Sequence, residues 1–274
     1  MSTPKRFPAS LKSATSPQRE LLMPQRHLHQ ATRDAARLAR PNGKSTGTGL
    51  DSGAVRQRMV DRLRAEGKFD EHVLAAMATV PRHEFVDSAL AAQAYEDTAL
   101  PIGHGQTISK PSVVAHMLGL LMASPGARQR GSLGRVLEIG TGCGYQAAVI
   151  ALLARQLTSI ERLQGLHDKA KLNLQRVSLP RSQPTVRLIW GDGRIGHSAS
   201  GPFDSIIAAA GGEDIPAAWT EQLAPGGRLI APTAASGRGQ VLVVLDHVVE
   251  AGVSRWARSE HEAVLFVPLK SGVL

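Results

Sequence analysis

The chain of 274 residues contains a single cysteine, Cys143, so no internal disulfide can form. Cys143 sits inside a glycine-rich run with no basic residue beside it. It reads as a small packing residue rather than a reactive thiol. No apolar run is long enough for a transmembrane helix, and the first residues lack the apolar core of a secretory signal. With neither feature, the cytoplasm is the expected location. The ten histidines are scattered and form no paired-ligand motif, so no metal site is expected. His27-x-His29 is incidental on this reading. A Gly-x-Ser-x-Gly elbow is also missing around Ser109, which argues against a serine hydrolase.

Charge is unevenly spread. The net charge is +9, of which residues 1–50 carry +7 and residues 51–274 carry +2. The body is therefore close to neutral, and a nucleic-acid footprint over the whole domain is not supported. Residues 1–53 are rich in Pro, Ser, Thr, Gln and Arg and end in a Gly/Ser/Thr-rich stretch. They are expected to form a disordered basic extension with a short helix at about Ala31–Arg40. The composition also resembles a transit peptide, and translation from Met23 or Met59 is a further possibility. A basic arm for nucleic acid is the sharper alternative.

An apolar content of 42% is enough for a proper core over residues 54–274. Val55, Met59, Val60 and Leu63 share one helical face. A second helix, capped by Asp70, carries Val73, Leu74 and Met77 and ends before Pro81. A loop from Tyr95 to Lys110 precedes a third helix carrying Val113, Val114, Met117, Leu118 and Leu121. Residues 54–130 thus read as a helical segment with a loop, residues 131–246 as a core of alternating strands and helices, and residues 247–274 as a closing strand region. Strands are expected at Arg135–Ile139, Leu157–Glu161, Val186–Trp190, Phe203–Ala209, Arg228–Ala231, Gln240–Asp246 and Ala263–Val267. Helices are expected from about Ala147 to Arg155, up to Val177, and at Ala217–Leu223. Such alternation implies an α/β fold with a doubly wound, mostly parallel, seven-stranded sheet.

Ligands on such sheets bind at the carboxyl ends of the strands. The first strand runs into Glu138-Ile139-Gly140-Thr141-Gly142-Cys143-Gly144-Tyr145. Glycines at alternate positions allow a tight turn and a bare main chain against which a ligand can lie. A dinucleotide loop would place a third glycine where Tyr145 stands, so a nicotinamide dehydrogenase is disfavoured. The run instead looks like motif I of the S-adenosylmethionine methyltransferases. The second strand ends at Glu161, a candidate acceptor for ribose hydroxyls, and the third at Asp192-Gly193, a candidate acceptor for an adenine amino group. Each acid alone could equally be a cap or a surface charge. Asp204, opening the fourth strand, reads as structural, and Ser109, just before Pro111, reads on its own as a helix N-cap.

Further motifs narrow the family. Val80-Pro81-Arg82, Phe85-Val86, Ala94-Tyr95-Glu96-Asp97, Ala99-Leu100-Pro101-Ile102-Gly103 and Gly105-Gln106-Thr107-Ile108-Ser109 resemble the N-terminal signature of the protein-L-isoaspartate O-methyltransferases. Ser159-Ile160-Glu161-Arg162, Leu223-Ala224-Pro225-Gly226-Gly227-Arg228-Leu229 and Phe266-Val267-Pro268-Leu269 are similar to that family as well, over about residues 54–271. The resemblance implies methyl transfer from S-adenosyl-L-methionine to the free α-carboxylate of L-isoaspartyl residues in damaged proteins, leaving S-adenosyl-L-homocysteine. It implies Ser109 as the active-site serine over the transferred methyl. Thr107, Ile108, Glu138, Gly140, Gly142, Gly144, Glu161, Asp192 and Gly193 are implied as cofactor-binding residues. It also implies that Phe266–Leu269 line the peptide site, and a monomer is expected. Gly211-Gly212 departs from the family's prolines, which is expected to loosen that loop. A methyltransferase acting on RNA or a small molecule, or a catalytically silent cofactor-binding protein, are the rival readings. The first would be expected to carry an Asn/Asp-Pro-Pro-aromatic run, and Ala209-Ala210-Gly211-Gly212-Glu213 is not one.

Overall fold

The computed structural model describes residues 53–177, 186–234 and 239–274, so the expectations for residues 1–52 lie outside it. Helix α1 (Gly53–Ala65) buries Met59, Val60 and Leu63. Helix α2 (Glu71–Thr79) is capped by the Asp70 carboxylate, which accepts the backbone N–H groups of His72 and Val73. It stops at Val80, which is extended because Pro81 follows.

The expected loop before the third helix contains a small hairpin, β1 (Leu100–Gly103) and β2 (Gln106–Ile108). Its tip, Gly103-His104-Gly105, has φ of 97°, 54° and 67°, which is why glycines flank the turn. Helices α3 (Pro111–Met122) and α4 (Pro125–Arg130) follow.

The main sheet is built from β3 (Arg135–Ile139), β4 (Gln156–Glu161), β5 (Val186–Trp190), β6 (Phe203–Ala208), β7 (Leu223–Ala234), β8 (Gln240–Glu250) and β9 (Val253–Val264). Their order is β5-β4-β3-β6-β7-β8-β9. The pairs from β5 to β7 are parallel, and β8 and β9 pair antiparallel. Helices α5 (Tyr145–Ala151), α6 (Gln164–Arg176) and α7 (Ala217–Glu221) make the crossovers. The order reverses direction at β3, between β4 and β6, and that is where a doubly wound sheet opens a crevice.

Successive strand residues feed opposite faces. Val136, Ile207 and Ile230 join a core shared with α1, α2, α3 and α5, while their neighbours Leu137, Ile206 and Leu229 join a second core around Trp219. This two-sided burial explains why the parallel strands read as apolar runs in the sequence.

The last strand departs from expectation. It spans Val253–Val264 rather than Ala263–Val267, and a tight turn at Ala251-Gly252 joins it to β8. Its side chains are almost all exposed, so no hydrophobic period marks it in the sequence.

Candidate active site

The loop after β3 carries the site. Gly140, Gly142 and Gly144 have φ of 89°, 57° and 92°, a left-handed region that other residues enter at a cost. Their roles differ. Gly140 and Gly142 line a cavity of about 420 Å³, whereas Gly144 is the N-cap of α5 and packs on α6. A Cβ on Gly144 would lie 3.3 Å from the Cβ of Ala170.

Glu161, at the end of β4, is 5% exposed and faces the cavity. Its carboxylate accepts the N–H of Gly142 at 2.9 Å and that of Leu163 at 3.0 Å. A carboxylate offers about four acceptor positions, so two remain for a diol. Gly193 also lines the cavity, and a Cβ there would lie 2.6 Å from Ile139 Cγ2. Asp192 does not line it. One of its oxygens accepts the N–H of Arg194 and the other that of Gly272.

Glu138 lies beneath the loop, fully buried, and does not line the cavity either. Gln146 donates to it at 3.1 Å and Ser159 at 2.5 Å, and Ser159 in turn meets Thr141 at 2.6 Å. Burial pushes its carboxyl up to about 7, against the pull of those two hydrogen bonds. Glu138 thus ties the loop to β4 from below. Burial also pushes the Cys143 thiol up, consistent with packing and not nucleophilic chemistry.

The opposite wall is the β1–β2 hairpin and its continuation, with Thr107, Ile108 and Ser109 all lining the cavity. Ser109 does not cap α3. Lys110 holds the cap position, Pro111 the first turn, and no side chain of the cap residue bonds the helix. Asp97 performs that task from the preceding loop, accepting the N–H of Ser112 at 2.8 Å and its hydroxyl at 2.7 Å. The Ser109 side chain is therefore left to the cavity.

Arg82 fixes this wall. It is fully buried, stacks 4.7 Å over the Tyr145 ring, and donates to the carbonyls of Ala94 and Ser109, each at 2.7 Å. Tyr145, which replaces the third glycine of a dinucleotide loop, is thereby the platform joining the N-terminal segment to the glycine loop. Sequence reasoning passes over both roles, because a buried arginine has no local signature.

The third wall is the end of the chain. Of the Phe266–Leu269 segment, Val267, Pro268 and Leu269 line the cavity and Phe266 does not, and Lys270 and Leu274 line it as well. Leu274 exchanges backbone hydrogen bonds with Gln164 and Arg162. Gly211 is not loosened by the absence of proline. Its N–H bonds the Val267 carbonyl and its carbonyl accepts from Leu269, both at 2.8 Å, and a Cβ there would collide with the amide of Gln240.

This cavity thus combines a bare glycine main chain, a buried carboxylate with acceptor positions to spare and an apolar rim. Such a site suits an uncharged nucleoside with a flexible tail better than a pyrophosphate. The family model for protein-L-isoaspartate(D-aspartate) O-methyltransferase matches residues 54–274. The chain belongs to this family. A protein-L-isoaspartate O-methyltransferase of Methylibium petroleiphilum is 60% identical over 92% of this chain and 89% of its own length. One of Leptothrix cholodnii is also 60% identical, over 91% and 83%. Among solved structures, a Plasmodium falciparum chain in complex with S-adenosyl-L-homocysteine superposes with a TM-score of 0.64 at 23% identity. That match covers 78% of this chain and 98% of the other, and it supports the family's fold.

Proposed function

We propose that this chain methylates the free α-carboxylate of L-isoaspartyl residues in damaged proteins and peptides, using S-adenosyl-L-methionine, and so initiates their repair. The observation that carries this reading is the cavity itself. One opening is shared by the glycine loop, Glu161, the Thr107–Ser109 wall and the Val267–Leu269 segment, within a chain of this family.

The cosubstrate brings a methyl group on a cationic sulfur and leaves as a neutral thioether. The acceptor is a carboxylate, ionised at neutral pH with an ordinary pKa of about 3–4, so no general base is required. A new O–C bond replaces the C–S bond, the sulfur keeps the electron pair, and no proton moves. Charge disappears as the transition state forms, so a site that excludes water favours the step. What the protein supplies is alignment. Gly140 and Gly142 offer bare main chain, and Glu161 holds the ribose hydroxyls. Thr107 and Ile108 close over the cosubstrate, and the Ser109 hydroxyl donates to the acceptor carboxylate. Val267–Leu269 present backbone groups to the kinked peptide. Glu138, Gly144 and Asp192 act from outside the cavity, shaping the loops that line it.

The same proposal makes the chain a cytoplasmic monomer that acts on proteins and not on nucleic acid. The near-neutral charge of residues 51–274 speaks against a nucleic-acid substrate. Among the described residues no helix is long and apolar enough to cross a membrane. Product chemistry tests the reading. A carboxyl methyl ester is lost in mild alkali, whereas methyl groups on nitrogen or carbon persist. Label that survives alkali would overturn it.

A further inference from the structure

His116, His261 and Glu262 converge on one point although they lie far apart in the sequence. Each offers one ligating atom, and these atoms all lie within 4.8 Å of one another. His116 projects from the second turn of α3. The other two are consecutive residues of β9, and consecutive strand residues normally face opposite ways. Here the register slips. Val241 pairs with Ala263 and Val243 with Glu260, so His261 and Glu262 both stand opposite Leu242. That is a β-bulge, a device that re-aims side chains and is enriched beside functional sites.

A second observation concerns His116 itself. Its Nε2 atom is buried and faces the Glu262 carboxylate at 3.0 Å. Two ligands of one tetrahedral zinc ion, each at ~2.0–2.1 Å from the metal, stand about 3.3–3.4 Å apart, a few tenths of an ångström more than this pair. The His116 and His261 rings meet edge to face with centroids 6.4 Å apart, and the half-buried His261 has its Nε2 3.3 Å from the Ser259 hydroxyl.

We propose that His116, His261 and Glu262 form a binding site for a divalent transition-metal ion of the zinc type, with one coordination position left to water. Two imidazoles and one carboxylate suit zinc, whereas calcium and magnesium prefer oxygen-only shells. Lys68, a nearby cation, is paired with Glu66 at 2.8 Å. The bound ion would staple α3, the helix that follows Ser109, to the end of the sheet. The site is distinct from the cavity, since none of its three residues lines it.

The test uses the full chain, stripped of metal and titrated with zinc chloride by calorimetry. Cobalt(II) absorption reads the geometry, and a thermal melt in zinc reads the staple. One equivalent of zinc should bind, with tetrahedral cobalt bands and a raised Tm. H261A and E262Q change partly exposed side chains and should keep the fold. Each should weaken zinc binding by more than the ~10–100-fold that loss of an outer-shell partner costs. H116A should do the same, and the double variant H27A/H29A should bind as the parent does. No binding, or binding that survives H261A and E262Q, or binding lost in H27A/H29A instead, would overturn the site.

Discussion

In the proposed mechanism the chemistry turns on Ser109. Its hydroxyl is free of capping duty because Asp97 caps α3, and its carbonyl is pinned by Arg82. Ser109→Ala should therefore lower kcat/KM by about 5–150-fold, the range of one lost hydrogen bond of ~1–3 kcal/mol. Its thermal stability should stay within about 0.5 kcal/mol of the parent. Steady-state kinetics beside a melting curve checks both, and unchanged turnover would remove Ser109 from the mechanism. Glu138 makes a prediction of a different sort. Its folded pKa, about 7, lies above the ordinary 4.5. The folded state keeps a proton that the unfolded state releases, so this group's contribution is fully present below about 4.5 and is lost as pH rises through 7. Glu138→Gln should flatten that decline, which amounts to at most ~3 kcal/mol at one pKa unit per 1.36 kcal/mol. Urea denaturation across this window checks it, and parallel curves for the two proteins would refute it.

At the scale of elements, the parallel strands and the ends they present are legible in the sequence. Buried strands leave apolar runs, and the glycines and acids punctuate them. β3 and β5 occupy the expected residues, and β7 extends further at both ends because its flanks pair with β6 and β8. What stays hidden depends on contact between distant elements. Strand β9 is exposed and polar, so its pairing with β8 is decided by the Ala251-Gly252 turn rather than by a hydrophobic pattern. The cap of α3 comes from Asp97, fifteen positions back, and local rules favour Ser109 instead. Arg82 is illegible for the same reason, since its partners Ala94, Ser109 and Tyr145 belong to three separate segments. Arg82→Met should lower stability by about 2–4 kcal/mol through two lost charge-assisted hydrogen bonds, and should weaken S-adenosyl-L-methionine binding by releasing the Thr107–Ser109 wall. Chemical denaturation and equilibrium dialysis would show both effects, and a stable variant with normal affinity would contradict this role.

Across the whole molecule, the family match begins at residue 54, and most of the net positive charge lies before it. A chain shortened to residues 54–274 should therefore fold and methylate peptides at the parental rate, within about twofold in kcat/KM, about 0.4 kcal/mol. A larger loss would assign residues 1–53 a part in the site. The central claim is the choice of substrate, and it is tested by offering two synthetic peptides of one sequence. In one a single aspartate is linked through its side chain as L-isoaspartate, and in the other it is the ordinary residue. Alkali-labile methyl transfer from S-adenosyl-L-methionine to the first peptide alone is the expected result. Equal methylation of both, or of neither while S-adenosyl-L-methionine is still bound, would contradict it.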